Sequence, residues 1–211
     1  MLPNLPDEAE VIFYDDASPD NSYQIIQHFQ DTYSGSHIRL IRGQHNVGIT
    51  QVRHLLLAAS SADYIWFVDS DDLVATDAPA RLLKILNRFT PDVVLFDYDV
   101  FYDDSGTLKS QESLSIAPSN TLLRNSGNLL YRIAILDGRH YFWNKVFRRA
   151  LIHALPDLMI PAYEDITYTP MLLNQCETFY YLPVSLVHYR IWGQSIVQKM
   201  GLGQAYGIQA T

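Results

Sequence analysis

The stretch Tyr64-Ile-Trp-Phe-Val-Asp-Ser-Asp-Asp-Leu73 sets the first limit on the fold. A run of apolar, aromatic and β-branched residues leads straight into three carboxylates, Asp69, Asp71 and Asp72. The run over Tyr64–Val68 has the length and content of a buried strand. Asp69 then closes the strand, and Asp71 and Asp72 lie in the loop beyond it, where open α/β sheets bind ligands. Carboxylates this close raise one another's pKa unless a cation compensates. An oxygen-rich site of this kind suits Mg²⁺ or Mn²⁺. The competing reading is a solvated acidic loop at the end of a core strand.

The same arrangement occurs earlier in the chain. Glu10–Tyr14 is a short apolar strand that ends in Asp15-Asp16. Ser18, Pro19 and Asp20 then suit a helix start, and Ile25, Ile26, Phe29 and Tyr33 follow at helical spacing. Ile38–Arg42 reads as a second strand and Gly43–Gly48 as a polar loop holding Asn46. A helix from Thr50 carries Val52, Leu55, Leu56 and Ala59, with Arg53 on its first turn. After the Tyr64 strand, Asp77 caps a helix bearing Leu82, Leu83, Leu86 and Phe89. The order β-α-β-α-β-α implies a parallel sheet with right-handed crossovers.

Beyond Val93 the pattern changes. Val93–Tyr102 alternates with period two, as a strand with one partly exposed face does. Asp103–Gly106 is a turn, and Thr107–Ser119 a loop or loose hairpin. Leu122–Leu136 is apolar enough for a helix. Gly138–Arg149 gathers Tyr141, Phe142, Trp143, Lys145, Arg148 and Arg149. Glu164-Asp165 stands at a helix start. Thr178–Tyr181 and Ser185–Tyr189 read as two short strands around Pro183. A hydrogen-bonded strand histidine is the expected role of His188, with metal ligation the alternative.

With 211 residues and 48% hydrophobic against 18% charged, the chain is globular and fits one domain. A net charge of −8 argues against a nucleic-acid partner. Cys176 is alone, which excludes an internal disulfide and points to a reducing, cytoplasmic compartment. No run approaches the roughly 18 apolar residues of a membrane span.

Together these segments resemble the inverting family 2 glycosyltransferases. Asp15-Asp16-Ala-Ser-Pro-Asp20 resembles their D-D-x-S-x-D turn, and Asn46-Val-Gly48 with Arg53 their N-x-G…R segment. Asp69-Ser-Asp71-Asp72 matches the D-x-D-D motif. Trp143-Asn-Lys145…Arg148-Arg149 is similar to W-x-K…R-R. Glu164-Asp165 matches the E-D pair, and Tyr189-Arg190 with Ser195 the closing Y-R…S. The family opens with a V-S-I-I-x-P-x-Y-N strand and a helix, whereas nine residues precede Glu10 here. The resemblance therefore implies a chain lacking the first β-α unit.

The resemblance implies a GT-A fold, α/β with a Rossmann-like, mostly parallel sheet flanked by helices. Residues 1–211 would form one domain, about 1–103 binding the nucleotide sugar and about 104–211 facing the acceptor. It implies inverting transfer of a sugar from a nucleotide diphosphate donor, a UDP-sugar above all, to a saccharide or lipid-linked saccharide acceptor. The setting would be cell-surface polysaccharide or glycolipid synthesis, with peripheral association at the inner face of the membrane. Asp15, Asp16, Ser18, Asn46, Arg53, Asp69 and Asp71 would bind the donor, and Asp71 and Asp72 would hold Mn²⁺ or Mg²⁺. Trp143, Lys145, Arg148 and Arg190 would contact acceptor or diphosphate. Asp165 would be the general base, supported by Glu164. The alternatives are a glycosyltransferase-like domain without activity and, more remotely, a haloacid-dehalogenase-like phosphatase built on Asp69.

Overall fold

The computed structural model describes residues 5–33, 37–155 and 163–191. Strands β1 (Val11–Asp15) and β2 (Ile38–Arg42) pair in parallel, with Val11 opposite Ile38 and Asp15 opposite Arg42. Helix α1 (Ser22–Thr32) connects them, and α2 (Ile49–Ala59) follows. The β-α-β-α order is as read, but α1 starts late. Ala17 adopts φ 56°, and the Asp20 carboxylate accepts the Ser22 N–H at 3.0 Å. The carboxylates of Asp15 and Asp20 hold residues 16–21 as a turn, Asp15 accepting the Ser18 N–H and Asp20 the Ser22 N–H, so the first helical residue is Ser22.

The third strand is shorter than its sequence suggests. Strand β3 covers only Tyr64–Ile65 and pairs antiparallel with β8 (Lys145–Arg148). From Trp66 to Val68 the chain has no ladder partner among the described residues. It is held by side chains instead: the Trp66 indole donates to Trp143 O at 2.7 Å and meets Phe96 edge-on at 5.5 Å.

The carboxylate turn leads into β4 (Leu73–Val74), then α3 (Ala78–Phe89) and β5 (Val93–Tyr102). The Asp77 carboxylate, expected as a cap, instead takes Arg81 at 2.6 Å. Strand β5 is the spine of a seven-stranded sheet. One edge of it pairs with β8 near its start and β6 (Leu108–Glu112) near its end. Its other edge runs along β9 (Thr178–Ile191), whose far side carries β7 (Leu122–Arg124) and β4. Only β5–β9 is parallel in this sheet, which is therefore mixed; the α/β class holds, but the mostly parallel expectation does not. Short connections such as the 103–107 turn between β5 and β6 return the chain antiparallel, where a helical crossover would have kept it parallel.

Two further expectations change. Leu122–Leu136 is not one helix: Gly127 (φ 62°) and Asn128 (φ 55°) break it into β7 and helix α4 (Leu129–Leu136). The Asn125 amide fixes the break, donating to Leu173 O and Cys176 O while accepting the Leu130 N–H. Conversely, the two strands around Pro183 are one. The register slips by two residues, from Phe96↔Leu182 to Asp97↔Ser185, so Pro183 bulges out where its missing N–H costs no ladder bond.

Val93, Val94, Leu95 and Phe96 are fully buried, because both faces of β5 are covered. Val93 and Leu95 pack with α4 and helix α6 (Glu164–Gln175) through Leu130, Leu172 and Leu173. Val94 and Phe96 pack toward α3 and Trp143. Helix α5 (Arg149–His153) completes the first layer through Leu151 and Ile152. This double burial explains why the start of β5 is apolar on both faces and its alternation appears only from Asp97 onward.

Candidate active site

The carboxylates of the first sheet build a loop clamp. Both oxygens of Asp16 accept backbone N–H groups, from Val47 at 2.9 Å and Gly48 at 3.0 Å, and Asn46 Nδ2 donates to Asp16 O at 3.3 Å. Gly48 sits at φ 83°, a conformation that lets two successive amides face one carboxylate. The D-D turn and the N-x-G loop are thus one structure. Asp15 is buried, accepts the Ser18 N–H at 3.3 Å, and lies 3.7 Å from Arg42 Nε. Ser18 and Ala17, with Arg42, Gly43 and Gln44, line an open cleft of about 440 Å³ beside this turn.

The opening stretch folds as a tight turn, with the Asp72 N–H donating to Asp69 O at 3.2 Å. Arg190 on β9 holds it from the far side. Its backbone N–H donates to Asp72 Oδ1 at 3.0 Å, its Nε to Asp71 O at 2.6 Å, and its Nη1 to Asp103 Oδ1 at 3.4 Å. Asp72 Oδ2 is buried with no hydrogen-bond partner among the described residues. Burial, opposed by the Arg190 N–H and aided by Asp71 and Asp69, pushes the Asp72 carboxyl up to about 7. An orphaned, buried carboxylate oxygen beside two more carboxylates fits a hard divalent cation. Among the described residues no group of three or more His, Cys, Asp or Glu is placed to hold a metal ion by itself.

Arg53 links this turn to α6. Its Nη2 donates to Asp69 Oδ1 at 3.0 Å, and its Nη1 forms an ion pair with the buried Glu164. The guanidinium lies over Phe142 at 5.0 Å and Phe67 at 5.7 Å, which screen the pair from water. A cavity of about 260 Å³ opens beside it, lined by His54, Leu57, Phe67, Phe142 and Tyr168 among others. Asp165 follows Glu164 and accepts the Ile166 N–H at 3.0 Å. Burial raises its carboxyl above the usual range, against the lowering pull of His140 and Arg53 and with help from Asp69. His140 is itself lowered by burial, with Asp165 pulling the other way.

Three predicted contacts are placed differently. Lys145 is fully buried, its Nζ donating to Tyr141 O at 2.6 Å and Asn144 Oδ1 at 2.7 Å, so it braces the 141–144 loop and presents no charge at the surface. Burial, opposed by Asp165, pulls its ammonium down to about 7. Trp143 is buried between Tyr141 and Tyr189, stacked at 4.9 and 5.8 Å, which leaves neither ring face for an acceptor. Arg148 donates to Asp92 Oδ1 at 3.1 Å and to the carbonyls of Thr90 and Pro91, and covers the Tyr64 ring at 5.2 Å. These contacts join β3, β8 and the start of β5. His188 pairs with Asp99 at 3.2 Å as a strand histidine. Ser195 lies outside the described residues. Sequence reading missed His140, Asp103 and the two phenylalanines under Arg53; only Phe142, beside Trp143, carried a local signal.

A parallel β-α-β unit feeding a mixed sheet, with a carboxylate turn at the end of β3, is the architecture of nucleotide-sugar transferases. The model of Glycosyl transferase family 2 matches residues 3–154. This chain belongs to that family. It is 28% identical over 201 residues to "Putative glycosyltransferase EpsH" of Bacillus subtilis (strain 168), covering 92% of this chain and 55% of that protein. It is 24% identical to the processive diacylglycerol beta-glycosyltransferase of Mycoplasma pneumoniae, covering 86% of this chain and 54% of that one. The chain thus spans about half the length of these curated relatives. The crystal structure of S. aureus TarS 1-349 in complex with UDP-GlcNAc superposes with TM-score 0.70 at 18% identity, over 94% of this chain and 54% of that one. That likeness establishes the GT-A glycosyltransferase fold.

Proposed function

We propose that this chain moves a sugar from a nucleotide diphosphate donor, a UDP-sugar, to an acceptor hydroxyl with inversion. The observation that carries the reading is the Arg53 bridge, which fixes Asp69 of the carboxylate turn against Glu164, the neighbour of Asp165. The donor side and the base side of a transfer site are thereby held at one charge. The TarS structures in complex with UDP and with UDP-GlcNAc support a UDP donor.

In this reading the clamp made by Asp16 and the Asn46–Gly48 loop, with Asp15 and Ser18, receives the nucleoside. Asp69 and Asp71 take the ribose hydroxyls. Asp71 and Asp72 hold Mn²⁺ or Mg²⁺, which supplies positive charge against the leaving diphosphate. Arg190 keeps the turn in shape through its hydrogen bonds to Asp72 and Asp71 and is itself tied to Asp103. Asp165, raised by burial, takes the proton of the acceptor hydroxyl as the acceptor oxygen bonds to the sugar's anomeric carbon and the bond to phosphate breaks. Glu164 orients it by occupying Arg53. The acceptor is a saccharide or a lipid-linked saccharide, in polysaccharide or glycolipid synthesis at the inner face of the membrane.

Thermal stabilisation by UDP and by a panel of UDP-sugars, with and without Mn²⁺, tests the donor. Asp71→Ala should lose the Mn²⁺-dependent part of that stabilisation. Asp165→Asn should keep it while transfer falls by about 100-fold or more. Normal turnover by Asp165→Asn would remove the base assignment, and no stabilisation by any UDP compound would remove the donor.

A further inference from the structure

Arg42 is the last residue of β2 and stands opposite Asp15 at the carboxyl end of the parallel pair, the end at which α/β sheets bind ligands. It is held on two sides. Its Nε lies 3.7 Å from Asp15 Oδ2, and its guanidinium covers the Tyr23 ring of α1 at 4.3 Å. Asp15 Oδ2 is buried and accepts no hydrogen bond among the described residues, so the ion pair is what compensates its charge. The chain then turns closely past Asp15: the Gly43 N–H donates to Asp15 O at 2.8 Å, and a Cβ at Gly43 would stand 3.0 Å from Tyr14 Oη. The rest of the Arg42 side chain is free. It is 57% exposed, and neither Nη group has a hydrogen-bond partner among the described residues. It borders the open cleft of about 440 Å³, whose wall also carries Ser18 and Gln44.

Asp15, Asp16 and Asp20 flank Ala17 and Ser18 of this wall, and Arg42 and His45 stand at either end of Gly43-Gln44. Three carboxylates against one arginine make poor ground for a diphosphate and suit a neutral ring with a polar edge. The carboxylates are also engaged, Asp15 with Arg42, Asp16 with the Val47 and Gly48 amides, and Asp20 with Ser22. The open Nη groups are donors only, so they accept nothing but an acceptor on that edge, whereas the Gln44 amide serves either kind. We propose that Arg42 selects the base of the donor: its free N–H groups bind the exocyclic oxygen of uracil and turn away cytosine. Uracil presents O4 on the edge away from the ribose. Cytosine presents an amino group there, and donors facing donors are left unpaired on both sides. This assignment rests on the nucleotide donor proposed above and names the residue that reads it.

The test is calorimetric titration of the protein with UDP and with CDP, each in the presence of Mn²⁺. Wild type should bind UDP at least about tenfold more tightly than CDP. Arg42→Gln puts an amide that donates or accepts in place of the donor-only fork, and should bring the two within about threefold by weakening UDP alone. Asp15→Asn with Arg42→Met removes the ion pair whole, leaves no buried charge uncompensated, and should lose the preference in the same way while far-UV spectra stay unchanged. A loss shared equally by UDP and CDP would make Arg42 structural and overturn the assignment, as would a preference that both variants keep. Equal binding of UDP and CDP by wild type overturns the assignment alone. Binding of neither nucleotide removes the donor and the assignment together.

Discussion

Arg53 sits between two carboxylates drawn from separate elements, with its cationic plane on two phenyl rings. Breaking a buried ion pair leaves an uncompensated charge, so Arg53→Met should cost about 3–5 kcal/mol in urea unfolding, well above the effect of an exposed charge. Lys145 carries a different signature. Its folded pKa of about 7 lies below the unfolded value, so the folded state favours the neutral amine. Its contribution to stability is full above the unfolded pKa and is lost as pH falls through about 7. The unfolding free energy of wild type minus that of Lys145→Met should therefore rise between about pH 7 and 10. A flat difference would place the ammonium in water. Sequence reading found Arg53, Asp69 and Glu164 by their motifs but had no way to join them, because 95 residues separate Asp69 from Glu164. It took Lys145 and Arg148 as ligand contacts because charge suggests a surface and burial is not written in a local pattern.

Element boundaries were legible where one interaction range decides them. The β-α-β-α order through α2 follows from apolar periodicity, and α3, β5 and α6 stand where their patterns place them. Failures came where a single side chain or a bulge overrides propensity. Asn125 is the example: three hydrogen bonds from one amide stop β7 and start α4 while tying both to α6. Asn125→Ala leaves two carbonyls and one N–H in that corner without their partner. It should destabilise the protein by about 1–3 kcal/mol in denaturant melts, more than removal of an exposed polar side chain. The long β9 shows the converse error. Pro183 looked like a break, but a two-residue slip lets the strand pass it.

For the whole molecule, the first half is read more easily than the second, because local β-α units announce themselves and antiparallel returns do not. The fold class survived that limit; the strand directions did not. The site itself draws on both halves. The carboxylate turn at 69–72 is closed by Arg190, and 118 residues separate Asp72 from that arginine. During synthesis at about 5–20 residues per second, roughly 6–24 seconds pass between the emergence of the turn and that of its clamp. Until then three neighbouring carboxylates wait without the backbone donor and guanidinium that hold them. The chain therefore writes its most charged feature early and completes it with nearly the last strand residue described, so a ribosome-bound chain that ends before β9 carries the motif without the site.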